Sequence, residues 1–308
     1  MDFAVNVPIN RVSFGQVSIN ILREFHKLGL SPNIFPIGQV DFGTENVNQN
    51  PDFYNWVISC IAKAPLYHKK ISPAFKLWHL NEGLSSVSYK QLLYSFYELD
   101  NPTEAELNVV RNTNKVVFSS RHAADRFIEN GATNVVSIPL GFDSANFYPV
   151  DPPDFSGRIS FNILGKLERR KLHSKTIQAW LKKYGNDHRY FLNCAIFNPF
   201  LQQEEINSYY NEILQGKNYF NIHFHGFIPE NASYNNFLNS AQIVLGMSGG
   251  EGWGLPEFNS VALGKHSVIH NCAGYQEWAN KENSVLVNPS SKVTAHDGKF
   301  FVNGAPWN

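Results

Sequence analysis

The sequence predicts an α/β protein built from two Rossmann-like, doubly wound domains facing a cleft. Short apolar runs alternate with helical periods through both halves, as in stacked βαβ units. The segment FYPVDPPDFSGR (147–158), with three prolines, one glycine and no periodicity, reads as a linker. A length of 308 residues suits two domains of ordinary size, which places the division at 1–150 and 151–308.

The elements follow in order. FAVNVPI reads as a strand, and GQVSINILREFHKLGL as a helix with Val17, Ile21 and Phe25 on one face, stopped by Gly29. NIFPIG, FKLWHL, LLYSFYEL and KVVFSS are strand candidates. RHAADRFIENG is a helix closed by glycine, and VVSIPLG a last strand. Beyond the linker, RISFNILG is a strand. SKTIQAWLKKYG is a helix with Ile177, Trp180, Leu181 and Tyr184 at i, i+3, i+4 and i+7. YFLNCAIF, IHFHGF, AQIVLGM, HSVIHN and SVLVNP complete the strand set.

Composition narrows the function. Lys plus Arg equals Asp plus Glu at 26 each, so no global field recruits nucleic acid or anionic lipid. Cys60, Cys194 and Cys272 are odd in number and share no metal-ligand spacing, which reads as free thiols in a reducing compartment. The start MDFAVNVPINRV is not a signal peptide, and no window approaches the ~18 apolar residues of a membrane span. The expected location is cytoplasmic.

Two loops carry the chemistry. MSGGEGWGLPEF follows a strand and opens a helix, with Pro256 where a missing N–H is harmless. Phe258, Val261 and Ala262 are expected to share one face of that helix, and Gly264 to end it. Such a loop delivers backbone N–H groups and a positive dipole end to the strand's carboxyl edge, which suits phosphate. Glu251 would repel phosphate but accepts hydrogen bonds from sugar hydroxyls. On spacing alone, a plain βα turn with a solvated acid fits equally well. The second loop, ILGKLERRKLHS, sets Lys166, Arg169, Arg170 and Lys171 beside another helix N-terminus, where they would hold adjacent phosphates. Taken alone, it also fits a solvated surface loop.

At this point the second half resembles the nucleotide-sugar-binding domain of glycosyltransferase family 4 and related group 1 transferases of GT-B architecture. Gly165, Lys166 and Lys171 match the Gly-Arg-x-x-x-x-Lys loop, with lysine for the usual arginine. HGFIPE, with Gly226 and Phe227, matches the Gly-Phe-x-Pro element. Ser248, Glu251, Gly252, Trp253, Gly254, Leu255 and Pro256 match Ser-x-x-Glu-Gly-Phe-Gly-Leu-Pro. SIPLGFDSANFYP (137–149) resembles the family's interdomain passage, so the matches span roughly 117–290.

The resemblance implies transfer of a sugar, a hexose in the usual case, from a nucleoside diphosphate to an acceptor hydroxyl with retention at the anomeric carbon. The acceptor would be a glycan, a lipid or a small molecule. Lys166 and Lys171 would neutralise the diphosphate leaving group, residues 252–255 would offer amides, and Glu251 would hold the sugar. Gly226–Ile228 would border the base. The family needs no metal, and no Asp-x-Asp motif is present.

The chain also departs from the family. Its second glutamate falls on Asn259, expected to bind ribose more weakly; Glu257, two helical positions earlier, points some 200° away. The first-domain histidine is not matched, which leaves His79, Tyr97 and Glu98 as candidate polar partners, His79 being equally readable as structural. Gly15, in NRVSFGQVS, is expected just before a helix, near the donor phosphates. The sequence stops at NGAPWN, where relatives continue into a crossover helix, so either a naturally short form of the fold or a truncated chain is expected.

Other readings stay open. A nucleotide-sugar-binding protein without turnover fits Asn259 and the unmatched histidine. A DNA glycosyltransferase is disfavoured by zero net charge. KAPLYHKK (63–70) reads either as a helix end with cations near its dipole or as a peripheral contact with anionic lipid.

Overall fold

The computed structural model describes residues 2–43, 50–151 and 153–292. The closing NGAPWN stretch lies outside them. The chain forms two compact units, residues 1–97 with 101–143, and residues 98–100 with 144–308. The first division therefore falls at Asp143–Ser144 rather than at 150–151. The stretch expected to be a linker begins inside the second unit. There Tyr148 N donates to Asn235 Oδ1 at 3.1 Å, and Phe147 packs edge-on to Tyr234.

The first unit holds β1 (Ala4–Val7), α1 (Ser13–Lys27), β2 (Asn33–Pro36), α2 (Pro51–Tyr67), β3 (Ala74–Leu77), β4 (Gln91–Ser95), α3 (Glu104–Asn112), β5 (Lys115–Phe118), α4 (Arg121–Glu129) and β6 (Val135–Ser137). Its sheet is wholly parallel, in the order β2-β1-β3-β4-β5-β6. Strand order reverses between β1 and β3, so the loops after those two strands border this unit's crevice. The helices are locally specified. Thr103 and Glu106 form a capping box on α3, the Ser120 hydroxyl caps α4, and Asn50 with Pro51 opens α2.

The second unit holds β7 (Ile159–Lys166), α5 (His173–Tyr184), β8 (Tyr190–Phe197), α6 (Gln203–Leu214), β9 (Ile222–His225), α7 (Asn231–Asn239), β10 (Ile243–Gly246), α8 (Leu255–Ala262), β11 (His266–His270) and β12 (Val285–Val287). Its parallel sheet runs β12-β11-β10-β7-β8-β9. This is the dinucleotide-fold order, reversing between β7 and β10. Its core joins Phe161 and Ile163 of β7, Leu192 and Cys194 of β8, and Ile177, Trp180 and Leu181 of α5. The α5 face is therefore the one its spacing predicts.

Two helical phases differ from expectation. On α1 the buried residues include Phe14, Val17, Ser18, Ile19 and Leu22, while Ile21 and Phe25 are only partly covered. Phe25 packs edge-on to Phe3 and Phe75. On α8 the buried residues are Glu257, Asn259 and Ser260, not Phe258, Val261 and Ala262. A polar side of this helix faces inward because it borders a charged cluster, while Phe258 packs sideways against Trp253 and Trp278.

Candidate nucleotide-sugar site

The two loops named above close on one another at the carboxyl ends of β7 and β10, where strand order reverses. β7 ends at Gly165 and Lys166. Gly165 has φ +121°, a conformation that L side chains rarely adopt, and it lets the chain turn into the basic segment. Arg170 O accepts from Gly249 N at 2.8 Å, which ties that segment to the glycine loop. The Ser248 hydroxyl donates to Gly250 O at 3.1 Å within the loop.

The four cations are not a bare cluster. Lys171 Nζ donates to Glu251 Oε1, and both groups are buried. Arg170 Nη1 donates to Gly250 O and lies 3.3 Å from Glu251 Oε1; its Nη2 is 3.1 Å from Glu168 Oε2. Lys166 Nζ sits 2.7 Å from Glu168 Oε1 and over the Phe200 ring. Arg169 is exposed. Within the two loops alone, four cations stand against two carboxylates, with Lys166, Arg170 and Lys171 paired and Arg169 in solvent. Burial pushes the Glu251 carboxyl up, but Lys171 and then Arg170 outweigh it and hold it below the ordinary range. Against burial, Glu251, Glu168 and Glu98 hold Arg170 firmly charged.

A third segment, absent from the sequence-based site, fixes the glycine loop from behind. Gly274 N donates to Glu251 O at 2.8 Å, and Trp278 Nε1 donates to Trp253 O at 2.8 Å. Gly254, at φ +81°, lies against the Tyr275 ring, which leaves no room for a side chain. Trp253 and Tyr275 are both buried. Among the described residues, the amides of Trp253, Gly254 and Leu255 donate to no acceptor, and they open α8. A loop whose amides are unpaired beside lysine and arginine side chains is built to receive an anion. The signal for the third segment was weak: CAGYQE (272–277) carries one glycine and no charge beyond Glu277.

Helical spacing sets Glu257 some 200° from Asn259, yet it too is buried, 2% exposed and packed beneath Gly246 and Gly254. Burial raises its pKa to about 7, with Lys171 opposing and Glu251 adding to the rise. An acid in a helix's first turn normally reads as a solvated dipole partner, which is why spacing alone hides it. Folded, this carboxyl holds its proton above the ordinary 4.5, so its contribution to stability is full below about 4.5 and is lost as pH rises through about 7. Buried His173 opposes it. Burial and then Lys171 lower that imidazole to about 3, so its contribution is lost as pH falls from the ordinary 6.5 towards about 3. Glu257→Gln should therefore remove a decline that runs from about pH 4.5 to 7, worth about 3 kcal/mol at most over the whole window and under about 1 kcal/mol above pH 6.5, where His173 no longer opposes it. Urea titrations of both proteins across that range check this, and an unchanged slope would remove Glu257 as its source.

The remaining candidates fall as follows. Ser248, Gly252 and Asn259 are buried in or beside the loop, and Leu255 is the first residue of α8. Gly226 and Phe227 are exposed after β9, with the Phe227 ring 6.1 Å from that of Phe197. Gly15 lies inside the first turn of α1 rather than before it; a Cβ there would strike Asn10, so the glycine lets the loop after β1 fold onto the helix start. His79 is exposed at the end of β3, its ring 4.3 Å from that of Phe14. Tyr97 is buried, its ring 4.9 Å from Phe127. Glu98 groups with the second unit; burial raises its carboxyl, with Arg170 opposing and Glu251 and Glu168 adding. Glu98 thus belongs electrostatically to the charged cluster, while Gly15, His79 and Tyr97 belong to the first unit. Among the described residues no group of three or more His, Cys, Asp or Glu could hold a metal ion. Cys60, Cys194 and Cys272 are buried free thiols.

No family model matches the chain, and a search of curated proteins returns no match. Solved structures do match. HepE of Anabaena, in complex with UDP-glucose, gives a TM-score of 0.68 at 14% identity, over 94% of this chain and 86% of that one. Sucrose-phosphate synthase of Thermosynechococcus elongatus gives 0.65 at 13% identity, over 94% and 86%. A UDP-forming α,α-trehalose-phosphate synthase of Burkholderia xenovorans gives 0.60 at 14% identity, over 93% and 87%. The fold is that of the two-domain, Rossmann-like GT-B glycosyltransferases.

Proposed function

We propose that this chain is a glycosyltransferase that uses a nucleoside-diphosphate sugar, transferring a hexose-type sugar to an acceptor hydroxyl with retention and without a metal. The observation that carries the reading is the closure of the 165–171 and 248–254 loops around Lys171, Arg170 and Glu251 at the switch point between β7 and β10. Structurally similar proteins with UDP-sugar complexes support the donor class.

The chemistry follows from the residues. As the bond from the anomeric carbon to phosphate oxygen breaks, negative charge grows on the departing diphosphate. Lys166, Arg170 and Lys171 with the amides of 253–255 are preorganised to stabilise that charge, which lowers the barrier without a cation from solution. Glu251, held ionised by its two cations, accepts from the sugar's hydroxyls. Asn259 takes the ribose, Ser248 braces the loop, and Gly226 with Phe227 borders the base. Glu98 is the candidate polar group beside the reacting sugar.

One observation favours binding without turnover: Asn259 stands where the resemblance expects a second glutamate. A thermal-shift screen with UDP-, GDP-, ADP- and CDP-sugars tests donor binding. One donor should raise Tm by ~5 °C at a hundredfold excess over Kd. Release of nucleoside diphosphate with an acceptor panel then tests turnover. Binding without release would favour the second reading, and no shift with any donor would overturn both.

A further inference from the structure

The first unit carries a feature the donor site does not use. At the amino-terminal edge of its sheet, the end of α2 and the segments leading into β3 and β4 expose large apolar side chains. Leu66 is 76% exposed, Tyr67 67%, Ile71 77% and Tyr89 74%. These residues form one surface because their backbones are joined. Tyr89 N donates to Lys70 O at 2.8 Å, Ala74 N donates to Lys90 O at 2.8 Å, and the His68 ring meets Val87 O at 2.9 Å. The outer side of α2 extends the surface through Ala62 and Pro65 to Ile58, which is 52% exposed. Scattered exposed apolar residues are ordinary, but a contiguous aromatic and aliphatic patch marks an interaction surface.

Charge indicates what covers it. No acidic residue occurs between Asp52 and Glu82, or between Glu82 and Glu98, in a chain whose overall charge is zero. Lys69, Lys70 and Lys90 are exposed beside the apolar residues. The bordering acid, Asp2, is held by Ser72 Oγ at 2.7 Å and Asn33 Nδ2 at 2.9 Å, so three cations face one carboxylate. Two tyrosines with aliphatic neighbours inside a lysine rim have the composition of a membrane-interface contact: ring bodies reach the acyl boundary while ammonium groups meet lipid phosphates.

We infer that this face, Leu66–Ile71 with Tyr89–Lys90, docks the protein peripherally on a bilayer surface rich in anionic lipid. Among the described residues no helix is long and apolar enough to cross a membrane. The patch sits at the opposite end of its sheet from the loops after β1 and β3, which docking leaves open.

Vesicle sedimentation of the full chain tests this. Phosphatidylcholine vesicles containing phosphatidylglycerol should pull the protein down, and pure phosphatidylcholine should not. Binding should collapse near 1 M salt, where the screening length is about 3 Å. Each lysine is worth about fivefold in partition, so Lys69→Glu, Lys70→Glu and Lys90→Glu together should weaken binding ~100-fold or more. Leu66→Ser with Ile71→Ser should weaken it at unchanged charge. Both variants alter exposed side chains and should keep the wild-type melting temperature and any nucleotide-sugar shift, which separates this proposal from the donor assignment. No pull-down by anionic vesicles would overturn it. So would undiminished binding of the lysine variant, or a stable dimer that Leu66→Ser with Ile71→Ser dissociates, which would mean that a second copy covers the face.

Discussion

Replacing Lys171 with alanine should abolish the nucleotide-sugar shift and destabilise the fold by ~3–5 kcal/mol, because it strips a buried carboxylate of its closest cation. Glu251 would keep Arg170 at 3.3 Å, but burial would then act on a less compensated charge. Binding should fall at least ~30-fold, the usual cost of truncating a desolvated charge that meets a ligand. The two losses can be separated. Adding Glu251→Gln to Lys171→Ala removes the stranded charge, so stability should return in part while binding does not. A double-mutant cycle by urea denaturation, with calorimetric titration of the donor, measures both. A single variant that melts like wild type and still binds would remove Lys171 from the site.

Gly274→Ala should be nearly as damaging, for a different reason. A Cβ at this position would lie 2.5 Å from Glu251 O and from Gly252 C and O, all main-chain atoms that cannot rotate aside. The glycine loop would have to move, lengthening the bond from Gly274 N to Glu251 O and shifting the carboxylate that holds Lys171 and Arg170. The expected cost is ~3 kcal/mol or more, with loss of the nucleotide-sugar shift. Gly29→Ala is the control: it meets open space and carries only the strain of φ +67°, worth roughly 1 kcal/mol. It should leave binding unchanged. Equal behaviour of the two variants would show that close packing behind the loop does not position the site.

Much of this architecture was legible because it is locally encoded. The strands of both sheets overlap the apolar runs, since a parallel strand covered on both faces is mostly apolar. The α5 stripe, the helix stop at Gly131 and the Pro256 start of α8 are set by residues within one turn of where they act. The inward polar side of α8 was not legible. Amphipathic reading assumes that buried means apolar, and Glu257, Asn259 and Ser260 are buried because their neighbours are charged. α2 was visible only at its end, since its outer residues blur the helical period with Ile58, Ala62 and Leu66.

By itself, then, the sequence determined the α/β class, the strand order along the chain and the two glycine-and-cation loops, all of which depend on neighbours a few positions apart. Only the tertiary structure decided that Lys171 and Glu251, 80 residues apart, neutralise one another, that Gly274 and Tyr275 hold the loop from behind, and that Glu257 is sealed beneath it. Those contacts arise where the sheet reverses its order and brings the ends of β7 and β10 side by side. Which charge meets which there is set by distances in space that residue spacing does not record.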